Sequence, residues 1–222
     1  DVDIRVVETP ADAAGAAAAW LARSLGAAIR HRGRASVAFS GGRTPAAMLE
    51  RLATAAIDWT RVEVFQVDER IVPDGDPRRN AALLQVLPAP QANVVLMPVT
   101  APNQHRACAE YARRLPAHVD VVHLGLGDDG HTASWVPGDD ALDQPGDVAI
   151  SAIYQQTRRM TLTRRPINDA RRRLMVVTGA AKAEALAGWL LDDHRLPASR
   201  LRRAGTVVIA DQAAAAALPV PG

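Results

Sequence analysis

A single cysteine, Cys108, stands in this chain of 222 residues. An internal disulfide needs two thiols, and a cysteine-cluster metal site needs more, so both are excluded. Cys108 lies in an alanine-rich segment near His105, where a buried structural thiol is preferred over a catalytic Cys–His pair. Aromatic residues make up only 4% of the chain, which leaves little for the stacking that single-stranded nucleic acids require. No stretch approaches the ~18 uninterrupted apolar residues that span a bilayer, and no basic segment runs into an apolar one near the start. The expectation is a cytoplasmic protein with no membrane partner. Lysine is nearly absent as well: of 26 lysine and arginine residues, Lys182 is the one lysine and the other 25 are arginine.

With 24 acids against those 26 cations, the formal net charge is +2. That balance suits anionic small molecules without demanding a polyanion. Arg158, Arg159, Arg164, Arg165, Arg171, Arg172 and Arg173 crowd one region. Acids are interspersed elsewhere, so most of these arginines read as solvated surface and nucleic acid is not an expected partner.

An apolar content of 48% is enough to bury a core as one domain, 1–222. Strands are expected over 3–8, 35–40, 59–67, 93–99, 119–124, 173–177 and 206–210. Helices are expected from Thr9-Pro10 to Gly33, over 46–52 and 102–115, after Thr178, briefly after Pro197, and in the alanines following Gln212. Such alternation argues for an α/β fold with a mainly parallel sheet. Residues 148–154 and 159–163 suggest a small strand-hairpin embellishment. The 139–147 stretch reads as a loop bordering or covering the site, and 218–222 as a frayed end.

Chemistry concentrates after residues 119–124, a short β-branched run of the kind buried on both faces of a parallel sheet. Gly125, Gly127 and Gly130 permit tight turns there. Asp129 and His131, two residues apart, can project the same way, so that the carboxylate orients an imidazole suited to general-base work. A solvated turn with a merely hydrogen-bonded histidine is the plainer alternative; position at a strand end, where open α/β sheets bind ligands, favours the site. In Gly41-Gly42-Arg43-Thr44-Pro45, Thr44 fits a helix N-cap and Pro45 the first helical position. Backbone N–H groups and the helix dipole can converge there on an anion, although an ordinary strand-to-helix turn fits that segment equally well. Ser40 lacks the Gly-x-Ser-x-Gly elbow of a nucleophile. Asp68-Glu69-Arg70 closes a strand and, taken alone, reads as a surface ion-pair cluster. Arg159 offers either a planar fork for phosphate or a cross-strand salt bridge. Lys182, opening a helix, offers a compact point charge to a phosphate oxygen or a carboxylate.

The run from Gly125 to Ser134, continued by Trp135-Val136-Pro137-Gly138, resembles the G-x-G-x-D-G-H-T-A-S-x-x-P-G signature of the 6-phosphogluconolactonases. Asp68-Glu69-Arg70 resembles that family's second motif and Asn80 the asparagine that follows it. Residues 159–163 are similar to its Arg-Val-Thr-Leu-Thr strand, and Gly179 to Lys182 to its Gly-x-x-Lys helix start. The matches keep their order from about residue 35 to 212. Arg43 departs from the usual Ser-Gly-Gly-Ser-Thr-Pro, and Pro77-Arg78-Arg79 stands where a more neutral stretch is expected, so that loop is expected to be reshaped. The related glucosamine-6-phosphate deaminases would instead follow the histidine with Ile-Gly-Phe-Asn-Glu and lack Arg70.

The resemblance implies the three-layer, Rossmann-like fold shared by both families, and hydrolysis of 6-phospho-D-glucono-1,5-lactone. It implies His131 as general base and later proton donor, Asp129 orienting it, and Arg70 either stabilising the carbonyl oxyanion or positioning the sugar. Gly41, Gly42, Thr44, Arg159 and Lys182 would hold the phosphate, with Asp68 and Asn80 completing the binding set. No metal or organic cofactor is expected, since His118, His123 and His131 lack a ligand spacing. A monomer is favoured. An isomerising deaminase and a non-catalytic sugar-phosphate binding module are the alternatives.

Overall fold

The computed structural model describes residues 2–42, 44–88 and 91–218. Seven of its strands form one wholly parallel sheet, in the spatial order β1 (Asp3–Val7), β10 (Thr206–Asp211), β9 (Arg172–Val177), β6 (Val121–Leu124), β2 (Ala35–Phe39), β3 (Val62–Gln66) and β5 (Asn93–Val95). Successive side chains on a strand point to opposite faces, so each central strand supplies two cores. Val37, Phe39, Val64 and Leu174 pack on one face under α1 (Pro10–Arg32) and α2 (Thr44–Ala53). Ala38, Phe65, Val122 and Met175 pack on the other, against Tyr111 of α4 (Gln104–Arg114) and Trp189 of α6 (Ala183–Leu190). Three layers result, as the resemblance implied.

Helix α1 begins and ends where its sequence dictates. Thr9 accepts the Asp12 N–H at 3.2 Å while the Asp12 carboxylate accepts the Thr9 N–H at 3.1 Å, and Gly33 takes the left-handed conformation that stops the helix. Between the strands, α3 (Ala81–Leu84) and α5 (Arg164–Asn168) are single turns.

A second sheet of three antiparallel strands, β4 (Asp68–Arg70), β8 (Arg159–Leu162) and β7 (Val148–Ile150), leans over the carboxyl end of the first. It grows directly from β3, since the Leu162 N–H donates to the Val67 carbonyl at 2.8 Å. The hairpin expected over 148–163 is therefore two strands of this sheet, and Asp68-Glu69-Arg70 is the third. Beyond β2 the chain crosses to β3 on one side; beyond β6 it passes through the small sheet to β9 on the other. Adjacent strands whose connections part in this way leave a crevice at their carboxyl ends.

Several expectations are corrected. Residues 59–61 are a 3-10 turn before β3. The 93–99 strand ends at Val95, ahead of Pro98, which has no N–H for a sheet ladder. The alanines after Gln212 form turns: the run is too short to repay helix nucleation, and the Asp211 carboxylate already accepts the Ala214 N–H at 2.8 Å. Most arginines of the 158–173 cluster are exposed, as expected, but two are buried: Arg159 is 4% exposed and Arg173 1%. Arg173 spends its guanidinium on the carbonyls of Ile167, Asn168, Ala170, Arg202 and Ala204, so a buried charge knits the loops around β9. Arg43 and the chain end from Pro219 onward lie outside the described residues.

Candidate active site

The loop after β6 closes on itself. The Gly127 N–H donates to the His131 carbonyl at 2.7 Å, and the Thr132 hydroxyl to the Gly125 carbonyl at 2.8 Å. Asp129 Oδ1 accepts the His131 backbone N–H at 3.0 Å and lies 2.6 Å from His131 Nδ1. Partial burial works against ionisation of Asp129, but the hydrogen bonds from His131 outweigh it and hold the carboxyl below its ordinary range. With Nδ1–H directed to the carboxylate, Nε2 is the basic nitrogen. Gly127 is required for room, not flexibility: a Cβ there would collide with the His131 ring and the Asp129 carboxylate. Ala133 follows with φ of +52°, a conformation costly for any residue but glycine and found where a site over-determines its backbone.

Opposite stands the loop after β2. Gly41 packs so closely on the Asn80 side chain that no Cβ would fit, and Gly42 has φ of +116°. Thr44 is the first residue of α2, not its cap, and its hydroxyl lies 3.0 Å from that of Thr178, beyond β9. Two hydroxyls thus meet from different strand ends.

The acid pair on β4 is buried, which overturns the surface-cluster reading. Asp68, 5% exposed, accepts the Ser134 hydroxyl at 2.6 Å; burial pushes its pKa up, partly offset by Ser134 and the Arg159 charge. Glu69 is fully buried and saturated. One oxygen accepts the N–H groups of Arg70 (2.8 Å) and Asn80 (2.7 Å), the other the Gln66 amide (2.8 Å) and the Ala81 N–H (2.9 Å). Arg79 supplies the counter-charge with Nε 3.2 Å away, while its Nη1 donates to Asp74 at 2.7 Å. The arginine directly before Asn80 thus neutralises a buried glutamate. Arg70 donates to the Arg78 carbonyl at 2.6 Å and to Asn80 Oδ1 at 3.1 Å, and Asn80 Nδ2 donates to the Asp68 carbonyl at 3.0 Å.

Arg159 donates to Gln155 Oε1 at 3.0 Å and has no carboxylate partner within ion-pair distance among the described residues, so the cross-strand salt bridge does not form. Burial lowers its pKa, partly offset by Asp68. Lys182 closes the 3-10 turn before α6, with Nζ 3.9 Å from Asp128 Oδ1.

These walls enclose a cleft of about 380 Å³ at the carboxyl ends of β2, β6 and β9. Gly41, Gly42, Thr44 and Lys182 line it, as do Asp68, Arg70, Asn80, Arg159 and His131. Of the sequence-derived site residues only Asp129 stands back, behind His131. A larger cavity, about 610 Å³, opens at the amino ends of β2, β3 and β6. Its buried carboxylate, Asp120, is already tied to Arg32 at 2.6 Å and to the Ser36 N–H at 2.8 Å. Without a carboxylate-held histidine it has no acid–base pair, so the smaller cleft is the better candidate.

Sequence reasoning missed three groups here. Ser134 belonged to the recognised run but had no role. Tyr154, expected merely to end a strand, sends its hydroxyl to Asp129 Oδ2 at 2.9 Å; burial, with the Asp129 hydrogen bond and charge, pushes its pKa to about 12. His123, on the cleft floor, is 1% exposed beside Phe39, and burial drives its imidazole down to about 3. No sequence signal marked either ring. Cys108 is buried, and its thiol is raised to about 11 by burial. Among the described residues no group of three or more His, Cys, Asp or Glu is arranged to hold a metal ion.

A parallel sheet, a cation-lined crevice at its switch point and a carboxylate-held histidine define an α/β protein with a cleft suited to an anionic ligand beside an acid–base pair. The family described as glucosamine-6-phosphate isomerases/6-phosphogluconolactonase matches residues 8–209. A 6-phosphogluconolactonase of Rhizobium meliloti (strain 1021) is 37% identical over 199 residues, covering 83% of this chain and 86% of that one. The crystal structure of a 6-phosphogluconolactonase from Shewanella baltica OS155 superposes with a TM-score of 0.86 at 26% identity, covering 95% of this chain and 98% of that one. A monomeric glucosamine-6-phosphate deaminase superposes with a TM-score of 0.83 at 17% identity over 97% and 99% of the two chains, which shows a shared fold alone. The chain belongs to the glucosamine-6-phosphate isomerase/6-phosphogluconolactonase family, on its 6-phosphogluconolactonase side.

Proposed function

We propose that the protein hydrolyses 6-phospho-D-glucono-1,5-lactone to 6-phosphogluconate, a step of the oxidative pentose phosphate pathway. The observation that carries this is the 2.6 Å contact between Asp129 and His131 in one wall of a cleft whose other walls present Arg70, Arg159 and Lys182. His131 Nε2 takes a proton from water as the oxygen attacks the lactone carbonyl. Arg70, which lines the cleft, stabilises the resulting oxyanion or holds the sugar. Collapse breaks the bond to the ring oxygen, which receives the proton back from His131, and the carboxylic acid so formed loses its proton to water and leaves as the carboxylate. The Gly41–Gly42 backbone, Thr44, Arg159 and Lys182 hold the phosphate, while Asp68 and Asn80 shape the sugar end.

In this reading the partner is a small anionic lactone, with neither nucleic acid nor a membrane involved, and the protein acts as a cytoplasmic monomer without metal or organic cofactor. No helix among the described residues is long and apolar enough to cross a membrane.

The test is lactone hydrolysis by wild type and His131→Ala, with the phosphorylated lactone generated in place and gluconolactone as control, each corrected for spontaneous opening. A positioned acid–base group is worth about 10²–10⁴-fold, and a loss of that order is expected. Equal rates would remove His131 from the mechanism. An inactive wild type that releases ammonia from glucosamine 6-phosphate would mark a deaminase instead.

A further inference from the structure

The chain between Ile150 and Arg159 ends in a two-residue turn. Gln155 and Gln156 both take left-handed conformations, with φ of +48° and +69°, while Tyr154 and Thr157 exchange backbone hydrogen bonds of 2.9 and 3.3 Å across them. Two positive φ values in succession suit a tight hairpin, but such turns ordinarily use asparagine and glycine. Two glutamines there hold a conformation that costs free energy. What the strained tip accomplishes is the placement of Tyr154 against the loop after β6.

The Tyr154 hydroxyl donates to Asp129 Oδ2 at 2.9 Å, while Oδ1 of the same carboxylate serves His131 Nδ1 at 2.6 Å. The two rings meet edge to face, with centroids 5.4 Å apart. The Arg159 guanidinium lies 5.1 Å from the tyrosine ring centroid and donates to the neighbouring Gln155 side chain. Tyr154 does not line the cleft. Its action on any bound molecule therefore passes through its neighbours, with Asp129 making its hydroxyl's shortest contact.

We propose that Tyr154 is the positioning residue of the acid–base pair: it fixes the Asp129 carboxylate plane so that one oxygen serves His131 alone, and ties that pair to Arg159 at the phosphate end. Without the hydroxyl the carboxylate is free to rotate, and its charge is no longer shared with a donor. His131 Nδ1 then faces an acceptor that is no longer held in one orientation, and the ring is less often in the aligned geometry. The proposal rests on His131 being the base of the reaction proposed above.

Tyr154→Phe keeps the ring and removes only the hydroxyl. The expected kinetics are a kcat about tenfold lower, the worth of one hydrogen bond to a charged group, with KM for the phosphorylated lactone within about twofold. Independently of any substrate, ¹⁵N-histidine NMR is expected to show the Nδ1-protonated tautomer of His131 in the wild type and a mixture of the two tautomers in Tyr154→Phe. An unchanged kcat and an unchanged tautomer signature would reduce Tyr154 to packing and overturn the proposal, with equal melting temperatures certifying the comparison. A wild type without lactonase activity whose His131 tautomer signature still changes in the variant would refute the substrate and leave the positioning role intact.

Discussion

Acid is expected to weaken this fold through His123. The imidazole is 1% exposed and neither ring nitrogen has a hydrogen-bond partner among the described residues, so burial disfavours the charged ring and its pKa falls to about 3. In the unfolded chain the ring titrates near ~6.5. Below that pH the unfolded state gains a proton that the folded state refuses until pH approaches 3, so stability falls as pH falls, at up to about 1.4 kcal/mol per unit. Between pH 7.5 and 5 the loss comes to about 2 kcal/mol. Asp68 acts in the opposite direction, because its raised pKa favours the folded state as pH drops. The total slope of the wild type is therefore not diagnostic, and a difference is needed. His123→Leu keeps an apolar side chain in the site and removes both nitrogens. Urea unfolding of both proteins at pH 7.5 and 5 should show the wild type losing about 2 kcal/mol more than the variant. At pH 7.5 the variant should be the more stable by about 1–3 kcal/mol, the cost of an unmatched buried polar group. Equal losses in the two proteins would mean that His123 takes up its proton without unfolding, and would refute the sealed-ring account.

Three substitutions probe the cleft. Gly127→Ala forces a methyl group into the space held by the His131 ring and the Asp129 carboxylate; kcat should fall by on the order of 10²-fold, as for a reacting group displaced by about 1 Å, and an unchanged kcat in a folded variant would show that the loop absorbs the methyl. Arg79→Met removes the counter-charge of fully buried Glu69 and should cost about 3–5 kcal/mol by urea unfolding; a loss under about 1 kcal/mol would show that the four other donors to that carboxylate suffice. Lys182→Ala should raise KM for the phosphorylated lactone about tenfold or more, while hydrolysis of unphosphorylated gluconolactone stays the same; a parallel loss on both substrates would place the ammonium at the reacting end.

The strands and the glycine turns were legible because their causes are local. A β-branched run at 119–124, a capping box at Thr9 and a close-packed glycine each need only their neighbours. The recognised run after β6 was legible for the same reason, since Asp129 and His131 contact each other within one turn. What stayed hidden depended on distance. Asp68 looked like a surface acid because its donor, Ser134, comes 66 residues later, and Arg173 looked like its solvated neighbours because its carbonyl partners lie in loops up to 31 residues away. The alanines after Gln212 misled in the opposite sense: high helix propensity, with too few residues and too little to bury, does not outweigh nucleation. Tyr154 required both kinds of knowledge, the turn type at two glutamines and the place where the hairpin lands.

The same contrast divides the cleft itself. The acid–base pair is built by one closed loop: a ring nitrogen, a backbone N–H and a carboxylate within three residues, with Gly127 leaving the space they occupy. The cations facing it come from β4, β8 and the turn before α6, segments joined only through the fold. The carboxylate-held histidine is thus a property of local chain geometry, whereas its distance from Arg70, Arg159 and Lys182 is a property of how two sheets meet. Glu69 sits at that meeting, gathering backbone N–H groups from Arg70, Asn80 and Ala81 around one buried charge. Its carboxylate touches no part of the cleft, yet it sets where Arg70 and Asn80 stand relative to His131, which is why the arginine that neutralises it belongs to the physics of the site as much as to that of the core.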